Sequence, residues 1–199
     1  MAKIKFTKNE LKTQKDSLKR FLRYLPTLML KKQQLQIEIR KIDAQRAEMK
    51  RNRQHRYEAF GRWIAVFGED VSFPELLAIA SLKTDAGNIA GVDIPLFERI
   101  DFQEKSYNLF TQPLWIDRAI EQVKELAELD ARISILERQG ELLGEELRIT
   151  SQRVNLFEKV KIPETREHIR VIQIYLGDQQ TAAVVRGKIA KKKLVRVNR

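Results

Sequence analysis

The chain has 199 residues, no cysteine and a net charge of +11, with 33% of its residues charged and 43% hydrophobic. The lack of cysteine excludes disulfides and thiolate metal sites, and no run approaches the roughly 18 consecutive apolar residues of a membrane span. The opening Met1-Ala2-Lys3-Ile4-Lys5-Phe6 has no signal-peptide apolar stretch, so the expectation is a cytoplasmic protein without direct membrane insertion.

The charge is unevenly spread. Residues 1–56 carry +12, 57–113 carry −5, 114–160 carry −3 and 161–199 carry +7. Basic ends around an acidic middle suit nucleic acid or an acidic protein partner.

Thr7-Lys8-Asn9-Glu10 reads as a capping box, with Thr7 as N-cap and Glu10 reaching back to it. A heptad pattern follows. One seam position takes Leu11, Leu18, Leu25, Lys32, Ile39 and Arg46; the other takes Gln14, Phe21, Leu28, Leu35, Ile42 and Met49. This predicts a coiled-coil helix to about Phe60, with Lys32 and Arg46 as polar interruptions that fix register. Pro26 lies inside it without changing the heptad phase, which predicts a kink, since proline removes a backbone bond and crowds the Leu22 carbonyl.

The helix pattern then gives way to a turning region with four glycines and three prolines between residues 61 and 113, Gly61 and Gly68 coming first. Phe73 to Ala80 reads as a short helix with Pro74 near its start. Val92-Asp93-Ile94 and Phe97 to Phe102 alternate apolar and polar residues, the signature of short strands in a hairpin.

From Ile116 the helical period returns. Leu126, Leu129, Ile133, Leu136, Gly140, Leu143, Leu147, Thr150, Val154 and Phe157 alternate steps of three and four, a second coiled-coil seam. Ile169, Ile172, Leu176 and Ala183 continue a sparser stripe towards Lys193, beyond a kink or break at Pro163.

A basic first helix and an acidic stretch from Asp117 to Glu158 favour each other as antiparallel partners. The expected fold is therefore all-α dominated: a long antiparallel two-helix coiled coil with a small mixed helix/β-hairpin region at the turn. Its parts are an N-terminal coiled-coil helix over 1–60, a middle turn region over 61–115, and a C-terminal helix over 116–199. Equal rises of about 1.5 Å per residue from the turn place Thr7 opposite roughly residue 169. The remaining tip then extends past the first helix. It carries Arg186, Lys188, Lys191, Lys192, Lys193, Arg196 and Arg199 and no acid. A lone helix of this kind is marginal in water, which implies a partner that surrounds it.

Catalytic signatures are missing. The sequence has no phosphate-binding loop, dinucleotide fingerprint or zinc spacing, and its two histidines, His55 and His168, are isolated. No enzyme activity and no cofactor are expected. Gly140 and Gly144 form a small-residue pair that points to close approach of the first helix. The run Lys50-Arg51-Asn52-Arg53-Gln54-His55-Arg56 suits phosphate or a protein contact, but basic residues are not interleaved with aromatics and no nucleic-acid module is present. A nucleic-acid- or protein-binding helical arm stays as the alternative, with no nucleic acid expected in the leading reading.

Several runs resemble a known family. Ser151 to Glu158, followed by Ile162-Pro163, resembles a signature of the D subunit of V-type and archaeal-type (V/A) rotary ATPases. The matching motif residues are Arg153, Val154, Asn155, Ile162 and Pro163, with Leu156 at a usual Ala position and Phe157 at a usual Leu. Ile169 to Ile172, Gly187-Lys188-Ile189, Leu28 to Leu35 and Gly91-Val92-Asp93-Ile94-Pro95 are also similar, in the family's order. Pro26 and the middle region depart from its pattern. The resemblance implies a central rotor shaft that transmits torque between the catalytic nucleotide-binding hexamer and the membrane ion-translocating ring of a proton- or sodium-translocating ATPase or ATP synthase. It implies partners: the catalytic and regulatory subunits (A and B), with the tip residues Arg186, Lys188, Lys191, Lys192, Lys193 and Arg196 facing the hexamer. It also implies a small F subunit of the stalk and a socket subunit above the membrane ring. The chain itself would be non-catalytic and peripheral to the membrane.

Overall fold

A computed structural model describes residues 4–62, 76–108 and 112–197, with side chains to residue 193. Helix α1 runs from Lys8 to Gly61, strands β1 and β2 span Leu77–Ile89 and Val92–Glu104, and helix α2 covers Ile116–Leu156. A π turn, Phe157–Lys161, leads directly into helix α3, Ile162–Val197. The chain divides into two compact units, residues 1–31 with 150–199 and residues 32–149.

In the second unit the helices are antiparallel, because partners on α2 descend as those on α1 ascend. Lys50 meets Glu137 at 2.7 Å, Arg53 meets Asp130 at 2.5 Å, and Arg56 pairs with Glu125. These are the cross-helix charge pairs expected from the opposite signs of the two stretches. All are half-exposed, so each contributes under about 1 kcal/mol, and they act on choice of partner and direction. The seam supplies the burial: Lys32, Leu35, Ile39, Ile42, Arg46 and Met49 on α1 and Leu126, Leu129, Ile133, Leu136, Gly140, Leu143 and Leu147 on α2 are buried or half-buried. Arg56 faces Glu125, whereas equal rises from Phe60 and Ile116 would have brought it to residue 120; α2 starts about a turn earlier than equal arms require.

The hairpin differs from expectation in extent. Leu77 to Ala80, read as the end of a short helix, belong to β1; Phe73, Pro74 and Glu75 lie outside the described residues, as does Gly68. The two short strands form one 13-residue strand, β2, antiparallel to β1, with Leu77 opposite Glu104 and Ile89 opposite Val92. The connection is two residues, Ala90 and Gly91, both at positive φ (53° and 79°). That is the tight reversal matched to right-handed strand twist, and Gly91 adopts it without a Cβ penalty. Asn88 secures it by accepting from the Gly91 N–H at 3.0 Å and donating to Asp93 at 2.7 Å.

Strand β2 carries the hairpin's anchor. Ile94 is buried with Leu35, Ile42 and Leu143, and Ile89, Ala90 and Val92 pack around them. At its other end Leu76, Ile116 and Ile120 form a second core with Tyr107 and Trp115 against it. The hairpin thus lies along the helices. Thirteen strand residues reach about 43 Å, and the helix from Ile116 to Leu143 rises about 40 Å, so the lengths match.

The first unit is antiparallel by the same reasoning: the rings of Phe6 and Tyr175 are 4.9 Å apart and those of Phe21 and Phe157 are 5.2 Å apart. Seam residues Leu11, Gln14, Leu18, Phe21, Leu25 and Leu28 are all half-buried. Thr7 caps α1, its Oγ1 accepting from the Glu10 N–H at 3.2 Å. The reciprocal arm of the capping box is absent: the Thr7 N–H donates to the Lys5 carbonyl, and the Glu10 carboxylate accepts from Gln14. Pro26 sits exposed within a continuous α1. At Pro163 the helix neither ends nor breaks; the preceding turn widens, with the Ile162 N–H donating to the Phe157 carbonyl five residues back.

Candidate partner-binding surfaces

The tip begins where the seam ends. Ile172 is fully buried, Leu176 is half-buried, and every residue from Gly177 to Lys193 is exposed although the helix continues to Val197. Ala183, expected to extend the stripe, is exposed with the rest, because α1 begins at Lys8 and Phe6 already stands against Tyr175. Across this stretch Arg186, Lys188, Lys191, Lys192 and Lys193 are presented together with Val184, Val185 and Ile189, which are 58%, 49% and 52% exposed. Arg196 lies in the last turns of the same helix. No acid follows Asp178. A helix with this mixture presents positive charge and apolar area over the same stretch, and the exposed valines and isoleucine have no cover among the described residues.

The family-like residues divide by face. Val154 and Ile162 are buried, 3% and 6% exposed, and belong to the seam. Arg153, Asn155 and Pro163 are exposed. The π turn separates Arg153, Val154 and Asn155 from Ile162 and Pro163 along the chain. The segment Gly91 to Pro95 has a local role: Gly91 makes the turn, Ile94 fills the core, and the Pro95 carbonyl accepts from the buried Gln139 side chain at 2.5 Å. Sequence reading missed Gln139 as an anchor; a lone polar residue beside a heptad seam gives no sign of which carbonyl it will meet. Arg132 stacks over the Phe97 ring at 4.5 Å, beside a cleft of about 360 Å³ lined by Met49, Leu136 and Gln139.

Three cations of the basic run, Lys50, Arg53 and Arg56, are engaged by carboxylates of α2. The Lys50 ammonium donates to Glu137 and holds that carboxyl below its usual range. The run therefore acts largely as one side of a helix pair. His55 borders a cleft of about 350 Å³ with Asn52, Arg56 and Glu125, while His168 lies 4.0 Å from Glu164 on α3. Among the described residues no cluster of three or more His, Asp or Glu is arranged to hold a metal ion, and no helix is long and apolar enough to cross a membrane.

Gly140 and Gly144 do not serve the close helix approach expected of them, because a Cβ added at either would meet nothing within 4 Å. Charge divides sharply between the units. Residues 1–31 and 150–199 hold 21 Lys/Arg against 6 Asp/Glu, or +15, and residues 32–149 hold 17 against 21, or −4. The surplus belongs wholly to the unit that bears the tip.

A family model for the D subunit of ATP synthase matches residues 10–192. The V-type ATP synthase D subunit of Borreliella burgdorferi is 50% identical over 199 residues, covering 100% of this chain and 98% of that protein. Its counterpart in Chlamydia muridarum is 37% identical over 196 residues, 97% of each chain. That of Chlamydia pneumoniae is 36% identical over 198 residues, 96% of this chain and 93% of its own.

Proposed function

We propose a role from one premise, that this chain belongs to the family of ATP synthase D subunits: it is the central rotor shaft of a V/A-type ATPase or ATP synthase. In this role it carries torque between the nucleotide-binding hexamer and the ion-translocating ring and performs no chemistry itself. Its partners are the A and B subunits around the tip, the small F subunit and a socket subunit above the ring, in a cytoplasmic position peripheral to the membrane.

The observation that carries the reading is the end of the seam at Leu176 while α3 continues to Val197. A helix exposed at every residue from Gly177 to Lys193, and both basic and apolar there, is built to be enclosed. A sleeve of acidic or polar groups would hold it by long-range attraction and still let it turn, since charge complementarity sets orientation more than tight locking. The paired helices supply the stiffness that a shaft requires. Arg186, Lys188, Lys191, Lys192, Lys193 and Arg196 are proposed as the hexamer-facing contacts, with Arg153, Asn155 and Pro163 as outward positions of the family-like motif.

The test is deletion of residues 185–199 in the reconstituted complex. The coil should stay folded, because the seam ends at Leu176 and residues 185–193 are exposed, while ion pumping per ATP hydrolysed falls. A truncated complex with unchanged coupling removes the tip from the mechanism. Tight, steeply salt-dependent binding of the intact chain to duplex or single-stranded DNA at about 50 mM salt would favour the nucleic-acid arm instead.

A further inference from the structure

We infer that the coil of the first unit contains a compliant joint at the level of Phe21 and Phe157, and that one residue of the π turn is supernumerary to the helical repeat. The inference stands apart from the shaft role and rests on backbone geometry, burial and side-chain contacts.

On α2 the seam runs through Thr150, Val154 and Phe157 in steps of four and three. Continued at that spacing it would reach Lys161, Glu164, His168, Val171 and Tyr175. The buried positions fall one residue later. Ile162, Thr165 and Ile172 are 6%, 5% and 0% exposed, while Glu164 and Tyr175 are exposed. The displacement by one residue coincides with Phe157–Lys161, where the Ile162 N–H reaches back five residues instead of four. A π turn is a helix that has absorbed one extra residue. The seams on its two sides are therefore those of one uninterrupted α-helix from which that residue has been removed.

Two prolines make this level softer than the rest of the unit. Pro163 has no N–H to give to a carbonyl of the π turn, and Thr165 Oγ1 donates to the Lys161 carbonyl at 2.6 Å. Across the seam, Pro26 leaves the Leu22 carbonyl without its helical donor, and Thr27 Oγ1 donates to the Tyr24 carbonyl at 2.8 Å. Leu22 adjoins Phe21, whose ring meets that of Phe157, the first residue of the π turn. The two arms thus lose backbone bonding on either side of the Phe21–Phe157 contact, within a few residues of it, and the coil bends or twists there more readily than above or below.

The experiment uses the full chain in two measurements. In native-state hydrogen exchange, amides of residues 22–25 and 157–161 should exchange about tenfold faster than those of residues 12–18 and 166–172; uniform protection along the unit refutes the joint. In the second, Lys159, which is exposed, is deleted together with Pro163→Ala. Helicity should be retained and Tm should equal or exceed the parent's, because Ile162, Thr165, Ile169 and Ile172 stay in phase with Val154. Deletion of the exposed Arg138 from regular α2 should lower Tm by on the order of 10 °C. A Lys159 deletion as damaging as the Arg138 deletion would show that no residue of the turn is in excess.

Discussion

Replacing Gly140 and Gly144 with alanine decides between two accounts of α2. If the glycines let α1 approach, each added methyl group would collide with it. The structure leaves both positions open, with nothing within 4 Å of an added Cβ. Glycine in a helix interior is about 1 kcal/mol worse than alanine, through the backbone entropy lost on folding. The double substitution should therefore stabilise by about 2 kcal/mol, with the two effects additive because neither methyl touches a neighbour. For a chain of 150–250 residues this corresponds to a rise in Tm of roughly 4–8 °C. Thermal unfolding followed by far-UV circular dichroism measures it, with each single variant expected to give about half the shift. A lower Tm for either single variant would refute the reasoning and restore close helix contact. A normal rise in the isolated chain with loss of assembly would place a partner on that face.

Pro26→Ala should raise the stability of α1 by up to about 3 kcal/mol, since Pro26 is exposed and the change restores a donor to the Leu22 carbonyl; a lower denaturation midpoint would mean that packing requires the proline. Tyr107 donates to Asp117, which pushes its phenol pKa up to about 12. Its folded pKa thus exceeds the ordinary 10.0, and the stability it contributes is full below pH 10.0 and lost as pH climbs towards 12. Ultraviolet titration of tyrosinate in the parent and in Asp117→Asn should show one phenol titrating late only in the parent. Gly91→Val places a β-branched residue at φ 79° and should cost about 1–2 kcal/mol, read as faster proteolysis of the hairpin before any loss of helix.

Much of this fold was legible because a coiled coil writes its contacts at a fixed period. Leu35, Ile42, Leu143 and Val154 were placed on the seam by spacing alone, and each is buried. The acidic run from Asp117 to Glu158 likewise identified the partner of Lys50, Arg53 and Arg56. The hairpin was half legible: β2 alternates, but β1, with Ala78, Ala80, Ala86 and Gly87, has few of the β-branched residues that mark a strand and is held by its pairing to β2. The candidate tip residues were found by charge, and the exposure of Arg186, Lys188, Lys191, Lys192 and Lys193 follows from where α1 begins. The π turn was invisible for a physical reason. Pro163 announces a disturbance, but proline alone does not say whether a helix ends, bends or takes in a residue. What selects the third outcome is the partner. Ile162, Thr165 and Ile172 are buried, and Ile169 half-buried, only if the phase slips by one residue, and the burial of several side chains at about 1.5–3 kcal/mol for each large aliphatic one outweighs a poorer backbone bond over a single turn. The irregularity is set by side chains up to fifteen residues away, and those act only once the second helix is in place.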